Sequence, residues 1–310
     1  MAINRLKLPD LSVKIGKLNL KNPIIMASGT YGYADEYDNY VNLKNIGAII
    51  TKGITLNPRS GNPQPRIKEI NNGIINSIGL ENIGIFDFIT QKLPILYKKN
   101  IRYIVNIAGF SIDEYIQLAK ICEDYSIEAI ELNVSCPNVK RGCLEFGQDE
   151  KLLYKLVSSV RQVFSGTLIV KIGSNLANPA KNVICIENAG ADAISAINTV
   201  KAMYVSAKIV NKKIFKTVLK GGLSGPVIKH IALEFIHEIR NNTNLPIIGI
   251  GGISNIEDII EFLAVGATAV QIGTANFTNP YIGEILIQEL SDLLINHNVE
   301  SFTKLLGENR

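Results

Sequence analysis

The stretch 246–274 runs PIIGIGGISNIEDIIEFLAVGATAVQIGT. Its two ends, Pro246–Gly252 and Ala269–Thr274, are short apolar runs typical of buried parallel strands. Four apolar residues between them recur at helical spacing: Ile256, Ile259, Ile260 and Leu263. Ser254, followed three residues later by Glu257, predicts a capping box at the start of that helix. The stretch therefore predicts one strand–helix–strand unit.

The same pattern precedes this unit along the chain. Six further strand-like runs are present: Pro23–Ser28, Ala48–Ile54, Arg102–Ala108, Ala129–Val134, Thr167–Ile172 and Ala193–Asn198. Helical patterns separate most of them, one of which starts at a possible capping box of Ser111 and Glu114. Eight alternating units predict a single (β/α)8 barrel domain over residues 1–310, with a doubly wound open sheet as the structural alternative.

Three segments account for the length beyond the ~250 residues of a typical barrel. Ser12–Leu20 predicts a short N-terminal hairpin that closes the barrel bottom. Thr55–Asn82 and Val200–Gly225 are long insertions after strands 2 and 6. Loops of this length are usually functional or disordered, and both insertions leave the carboxyl ends of strands, where barrel enzymes place their sites.

Composition excludes several classes of protein. The 310 residues are 46% hydrophobic and 19% charged, with a net charge of +4 and no long basic block, so we expect no nucleic-acid partner. The apolar runs are shorter than the ~18 residues of a membrane helix, and the first twenty residues lack a signal-peptide core. Four Cys at irregular spacing make no disulfide framework. We therefore expect a cytoplasmic protein with no membrane partner.

Glycines follow the last two predicted strands. Gly251-Gly252 precedes the capped helix, and Gly273-Thr274 ends strand 8. Barrels often bind phosphate with these two loops and a nearby helix N-terminus. The alternative is that the glycines only make tight turns. Because both pairs fall at the expected places, a phosphate-bearing ligand is favoured.

Two lysines and several asparagines also lie at predicted strand ends. Lys171 can form a Schiff base or can stabilise an anionic ligand, such as a reduced flavin ring. Lys52 can bind a substrate carboxylate or a cofactor. Asparagine side chains offer donors and acceptors that suit a planar heterocycle. The asparagines concerned are Asn76, Asn82, Asn106, Asn133, Asn138 and Asn198.

The four cysteines differ in their surroundings. Cys122 and Cys185 lie in helical patterns and are predicted to pack in the core. Cys136 follows strand 4 among cationic groups, where a thiol can act as a general base or nucleophile. Cys136 and Cys143 have no nearby His, so no metal site is expected. All histidines lie in helical segments, which disfavours a His-based triad: His230, His237 and His297.

Five segments together resemble the class 1 dihydroorotate dehydrogenases. They occur in the family order and span nearly the whole chain: Lys52–Arg66 (KGITLNPRSGNPQPR), Asn76–Leu80 (NSIGL), Asn133–Gly142 (NVSCPNVKRG), Gly222–Pro226 (GLSGP) and Gly273–Phe277 (GTANF). The resemblance implies an FMN-containing (β/α)8 barrel that oxidises dihydroorotate to orotate in pyrimidine biosynthesis. It implies that Cys136 takes the C5 proton while C6 delivers hydride to FMN.

The resemblance also assigns binding roles. The substrate-binding residues it implies are Lys52, Asn76, Ser77, Ile78, Gly79, Leu80, Asn133, Asn198 and Thr199. The FMN-binding residues it implies are Ser28, Lys52, Gly53, Asn106, Asn133, Lys171, Ile197, Gly225, Gly251, Gly252, Gly273 and Thr274. Lys171 would stabilise the negative charge of the reduced flavin, and Cys136–Gly147 resembles a lid that excludes water.

Within class 1, the Lys-Arg-Gly of residues 140–142 and the Asn-Pro-Gln-Pro-Arg of residues 62–66 resemble the 1B type. That type implies a homodimer core of a heterotetramer whose second subunit carries FAD and a [2Fe–2S] cluster and reduces NAD. The chain has no Gly-x-Gly-x-x-Gly after a strand, so NAD-linked activity would need that partner. The fumarate-dependent 1A type, a homodimer, is the alternative.

Two positions depart from the 1B pattern, and three rival functions stay open. Gly53 stands where Ala is expected, and Cys143 where Gly is expected, so Cys143 is predicted to oxidise or to alter lid closure. A flavin barrel that reduces uridine in tRNA would also use a loop Cys. A Schiff-base aldolase would depend on Lys171 without flavin. A non-catalytic barrel would bind ligand without needing Cys136.

Overall fold

Eight parallel strands form a closed barrel in the computed structural model, which describes residues 8–37, 40–134, 146–176, 178–210 and 212–307. In chain order, the first to eighth barrel strands are Ile24–Met26, Ala48–Ile50, Tyr103–Ile107, Ala129–Asn133, Thr167–Ile172, Ala193–Ala196, Ile247–Ile250 and Ala269–Ile272. Each strand pairs with its neighbours in sequence, and the eighth closes on the first. The predicted (β/α)8 barrel is confirmed.

Helices cover the outside of the barrel, so the strands are buried on both faces. All six residues of the fifth strand, for example, are buried. The helices are Ile85–Asp87, Leu93–Lys98, Ile112–Asp124, Glu150–Arg161, Pro179–Asn188, Lys229–Arg240, Ile256–Ala264, Ala275–Thr278, Ile282–Asn296 and Phe302–Gly307. A π-helical turn, Phe88–Lys92, joins the first two. The longest helix in these described ranges has 15 residues, and none meets the length and hydropathy of a bilayer span.

Helix starts follow the predicted caps with one shift. Ser111 caps its helix by accepting from the backbone N–H of Glu114, at 3.2 Å. The helix after the seventh strand starts one residue later than predicted, because Asn255 is its N-cap and Asp258 completes the capping box. Ser254 instead donates its hydroxyl to Asp258, at 3.0 Å. Because Asn and Ser are comparable N-caps, the sequence does not determine which of the adjacent Ser254 and Asn255 begins the helix.

The N-terminal hairpin pairs Val13–Ile15 with Leu18–Leu20 across a tight turn. Gly16 has a φ of +56° in this turn, a conformation that side chains rarely adopt. The next residue, Lys17, donates its N–H to the hydroxyl of Thr167 at the start of the fifth strand, 3.0 Å away. The hairpin therefore lies at the amino ends of the strands, as predicted.

The two insertions meet in a four-stranded sheet that the sequence did not predict. Its strands, in spatial order, are Val200–Val210, Lys213–Ser224, Gly73–Asn76 and Ile67–Ile70. Gly222 pairs with Asn76, and Ser224 pairs with Ile74, both in antiparallel register. Segments expected to be loops are thus regular strands, because each supplies the hydrogen-bonding edge that the other needs.

Candidate active site

Residues singled out from the sequence gather at one end of the barrel. Ser28, Lys52 and Gly53 follow the first two strands, and Asn106, Asn133 and Lys171 lie in the carboxyl halves of the next three. Ile197, Asn198 and Thr199 follow the sixth strand, and the glycine pairs follow the last two. Carboxyl ends of parallel barrel strands share one mouth, so the structure brings these residues together.

A buried carboxylate forms the floor of this mouth. Glu131, in the fourth strand, is 0% exposed. One oxygen accepts from Nδ2 of Asn106 at 2.6 Å and lies 3.7 Å from Nζ of Lys171. The other oxygen accepts from the hydroxyl of Ser195 at 2.7 Å and from Nε2 of Gln271 at 2.9 Å. Burial of a charge is costly unless it is paired and hydrogen-bonded, and here both conditions are met.

Asn106 presents an unsatisfied acceptor. Its Nδ2 is bonded to the floor carboxylate, but its Oδ1 is buried and has no hydrogen-bond partner among the described residues. A Cβ placed on Gly53 would lie 3.0 Å from this oxygen, so Gly53 leaves the space beside it clear of side-chain atoms. Buried acceptors are rarely left unpaired in proteins. The oxygen is therefore suited to an N–H donor on a bound ligand.

Asn133 and Asn198 form a polar pair at the carboxyl ends of the fourth and sixth strands. Nδ2 of Asn198 donates to Oδ1 of Asn133 at 3.3 Å, and Oδ1 of Asn198 accepts the backbone N–H of Thr199 at 2.8 Å. The backbone carbonyl of Asn133 accepts from the hydroxyl of Tyr115, which is buried on a helix, at 2.7 Å. These bonds orient two amide side chains that can match alternating donors and acceptors on a heterocycle.

The four-stranded sheet brings a third asparagine toward Thr199. Nδ2 of Asn76 donates to the carbonyl of Gly222 at 3.2 Å. A Cβ on Gly222 would overlap the Thr199 hydroxyl, and one on Gly221 would overlap the carbonyl of Asn76. Only glycine allows this approach, so the sheet packs directly against the residues that follow the sixth strand.

Both the side chain and the backbone of Asn62 bind the segment after Asn76. Nδ2 of Asn62 donates to the carbonyl of Ser77 at 2.9 Å, and the N–H of Asn62 donates to the carbonyl of Ile78 at 2.8 Å. Gly79 and Leu80 both have positive φ, of +79° and +56°. The chain therefore turns sharply here, with the carbonyl of Leu80 accepting from Nδ2 of Asn82 at 2.7 Å.

Lys52 is part of an ion-pair cluster at the rim. Its Nζ lies 3.6 Å from Oε2 of Glu81, and the same oxygen accepts from Nη2 of Arg66 at 2.5 Å. Two cations thus share one carboxylate, which leaves net positive charge beside the mouth. Such a surplus attracts an anionic ligand.

Glycines and hydroxyls line the opposite side. Gly225 and Gly252 have φ of +99° and +75°, and a Cβ on Gly252 would lie 2.8 Å from the carbonyl of Gly225. Around Gly273 the nearest atom to such a Cβ is 3.7 Å away, so the backbone is open there. Thr274 donates its hydroxyl to that of Ser224 at 2.8 Å. Backbone this accessible can approach a phosphate closely.

The cysteines fall into two groups. Cys136 and Cys143 lie outside the described residues, as does most of the predicted lid. Cys122 is fully buried in the core, and burial raises its pKa to about 12. Cys185 is half-buried, packs against the core and donates to the carbonyl of Glu150 at 3.1 Å. Burial raises the pKa of this thiol also.

Sequence reasoning missed three side chains of the site. Glu131 is a charged residue flanked by apolar residues in the middle of a strand, which was a usable signal. Tyr115 and Glu81 carried no signal, because their partners, Asn133 and Lys52, are distant in sequence or linked only by the fold. The roles predicted for the individual residues stay predictions.

Known proteins resemble the chain over nearly its whole length. The sequence model of the dihydroorotate dehydrogenase family matches residues 10–294. A protein of Caldicellulosiruptor bescii, named "Dihydroorotate dehydrogenase B (NAD(+)), catalytic subunit", is 49% identical over 298 residues, covering 96% of this chain and 98% of its own. Proteins of the same name from Geobacter metallireducens and Thermoanaerobacter pseudethanolicus are 42% and 41% identical, covering 97% and 96% of this chain and 99% and 98% of theirs.

Proposed function

Since the chain belongs to the dihydroorotate dehydrogenase family, we propose that it is the catalytic subunit of an NAD-linked dihydroorotate dehydrogenase. It oxidises (S)-dihydroorotate to orotate in pyrimidine biosynthesis, as a single FMN-binding barrel domain in the cytoplasm. The observation that carries the proposal is the barrel mouth, where Asn106, Asn133 and Lys171 gather above a buried carboxylate. This set offers amide hydrogen bonds and one buried cation to a planar anionic heterocycle.

The residues of the mouth fit FMN. The unpartnered Oδ1 of Asn106 supplies an acceptor for a ring N–H, and the open backbone at Gly53 and Gly273 leaves room for a flat ring. The positive-φ turns at Gly225 and Gly252 supply accessible backbone for a phosphate. Bound FMN would accept the hydride from C6 of dihydroorotate.

Lys171 supports that chemistry electrostatically. Its side chain is 8% exposed and lies against the floor carboxylate. A preorganised buried cation stabilises negative charge that develops beside it far better than a solvated one does. In the proposed enzyme Lys171 would help to hold the flavin and would stabilise the negative charge that reduction supplies.

The substrate is held by the amides and by the charge at the rim. Asn76, Asn133 and Asn198 provide donors and acceptors for the edges of the pyrimidine ring, and Thr199 adds a hydroxyl. Lys52, which shares Glu81 with Arg66, attracts the substrate carboxylate. The sharp turn at Gly79 and Leu80 exposes backbone groups that complete the binding set.

Cys136 is the proposed base that takes the C5 proton. It follows Asn133 by three residues, so a fully extended chain keeps their Cα atoms within about 11 Å. That distance is short enough for the thiol to reach the mouth, which is what the proposed role requires. General base catalysis at such a position contributes about 10²–10⁴-fold to the rate.

Electrons leave through a partner. The relatives are named as catalytic subunits of NAD(+)-linked enzymes, which supports a separate electron-transfer subunit. We propose that this subunit carries FAD and a [2Fe–2S] cluster, and that a homodimer of the present chain forms the core of a heterotetramer.

The first experiment is an anaerobic titration. The purified chain should show a flavin spectrum that bleaches when dihydroorotate is added. Reoxidation by fumarate would contradict the NAD-linked assignment, whereas reoxidation by NAD only after addition of the electron-transfer subunit would support it. A protein reconstituted with FMN that dihydroorotate fails to bleach would overturn the proposed function.

A second experiment tests the base. We expect Cys136→Ala to retain FMN and to lose about 10²–10⁴-fold in turnover at neutral pH. Cys185→Ala is the matched control, because this half-buried thiol lies on the outer helix Pro179–Asn188. Near-normal turnover of Cys136→Ala would contradict the assignment.

A further inference from the structure

In the part of the chain that the structure describes, the polar partners of the floor carboxylate are all hydrogen-bond donors or cations. Asn106, Ser195 and Gln271 all donate hydrogen bonds to Glu131, and Lys171 adds a cation. These side chains come from the third, fifth, sixth and eighth strands, so Glu131, in the fourth, links five of the eight strands. An interior position of this kind is usually filled by a branched apolar side chain. Burying a charge there costs free energy, and an apolar side chain would fill the same space without that cost.

The first consequence concerns the amide of Asn106. Because Glu131 accepts from Nδ2, the opposite end of the amide, Oδ1, has no partner among the described residues and lies beside Gly53. The carboxylate can accept but cannot donate, so the reverse orientation would place two acceptors against each other. Glu131 therefore determines that Asn106 offers an acceptor to the ligand.

The second consequence concerns charge. Lys171 and Glu131 are both nearly inaccessible to water, so their charges are little screened. A Lys171 cation that is partly cancelled by a carboxylate stabilises a reduced flavin less than an uncancelled one. The pair therefore sets how strongly the barrel favours the reduced ring.

We propose that Glu131 is a positioning residue that tunes the reduction potential of FMN through Lys171 and fixes the acceptor orientation of Asn106. The inference rests on the proposed function, since it requires FMN at this mouth. An intermediate potential suits a flavin that must be reduced by substrate and then reoxidised by a partner.

The test is the midpoint potential of bound FMN, measured by anaerobic dye equilibration. Glu131→Gln removes the anion with little change of volume, and we expect it to favour reduced FMN at least tenfold, or about 30 mV more positive for two electrons. Lys171→Gln leaves the anion without its cation and should shift the potential in the opposite direction. A purely structural role would lower the melting temperature or the FMN content but would not produce opposite shifts.

Ser195→Ala is the control, because it removes one hydrogen bond from Glu131 and leaves both charges in place. In Ser195→Ala the equilibrium constant for FMN reduction should change less than twofold. If Glu131→Gln does not fold, Lys171→Gln and the charge-retaining Glu131→Asp still test the sign and the need for charge. If the equilibrium constants for FMN reduction in the charge-removing variants lie within twofold of the wild-type value, the inference is overturned. Absence of FMN binding by the wild type would instead overturn the proposed function.

Discussion

Tyr115 contacts both ends of the segment that contains the proposed base. It lies in the helix Ile112–Asp124 and is 1% exposed. Its hydroxyl donates to the carbonyl of Asn133 at 2.7 Å, and its ring packs edge-on against Phe146 with 5.7 Å between centroids. Asn133 precedes residues 135–145, and Phe146 follows them. We therefore expect Tyr115 to support both the fold and the active-site loop.

The magnitude follows from what Tyr115→Phe removes. The ring and its contact with Phe146 remain, but the carbonyl of Asn133 loses its donor. Leaving a buried acceptor unsatisfied costs about 1–3 kcal/mol, and the half-buried position of Asn133 favours the lower part of this range. For a large domain, each kcal/mol lowers the melting temperature by about 2–4 °C. We expect a loss of about 1–2 kcal/mol and a higher KM for dihydroorotate.

Chemical denaturation of the FMN-loaded protein measures the stability term, and steady-state kinetics measure KM. Tyr97→Phe is the matched control, because its hydroxyl also donates to a backbone carbonyl, that of Tyr125 at 3.2 Å, but the side chain is 53% exposed. A surface change of this kind should stay within about 0.5 kcal/mol. Equal losses of stability in the two variants, together with a wild-type KM for Tyr115→Phe, would contradict the proposed role of Tyr115.

Two further predictions concern the close approach at Gly53 and the charge of Asp258. Gly53→Ala, which introduces the residue expected in the 1B pattern, should lower the free energy of unfolding by about 1 kcal/mol, since its Cβ would lie 3.0 Å from the anchored amide of Asn106. Chemical denaturation checks this, and a more stable variant would show that the amide moves aside. Burial raises the pKa of Asp258, but hydrogen bonds from Lys229 and Ser254 outweigh it and hold the pKa below its usual range. The stability that this depressed pKa contributes is present above about pH 4 and is lost as pH falls through the folded-state pKa. Asp258→Asn should therefore lower the free energy of unfolding by about 1–2 kcal/mol at pH 7, and by less in urea unfolding at pH 3. An equal loss at both pH values would contradict the charge argument.

The barrel was predictable because its strands carry their signal locally. Runs such as Thr167–Ile172 are apolar on both faces, and the structure keeps those bounds unchanged. Other strands are shorter than predicted by one to four residues. Most of the difference is at the carboxyl ends, where the chain leaves the ladder to form the mouth, and three strands also start one residue later. The shift of the N-cap to Asn255 shows the limit of local signals where two good caps are adjacent.

The missed features depend on long-range pairing. Gly222 meets Asn76 only because the barrel brings the ends of its second and sixth strands within reach, and no local pattern encodes that approach. The donors around Glu131 are likewise contributed by separate strands, although the charge itself was visible in an apolar run. Sequence patterns located the candidate residues, whereas the hydrogen-bond partners of these residues could be identified only from the closed barrel.

The four-stranded sheet constrains how this enzyme can be altered. Lys213–Ser224 pairs with Gly73–Asn76, so neither insertion has an independent fold at its inner end. A chimera that exchanges only the insertion after the second strand would meet a foreign strand edge beside Thr199. Exchange of both insertions together, taken from the same parent protein, preserves the strand register and the glycine contacts. Lengthening of the insertion after the sixth strand is tolerable at its outer end, near Val210, where the hairpin projects into solvent.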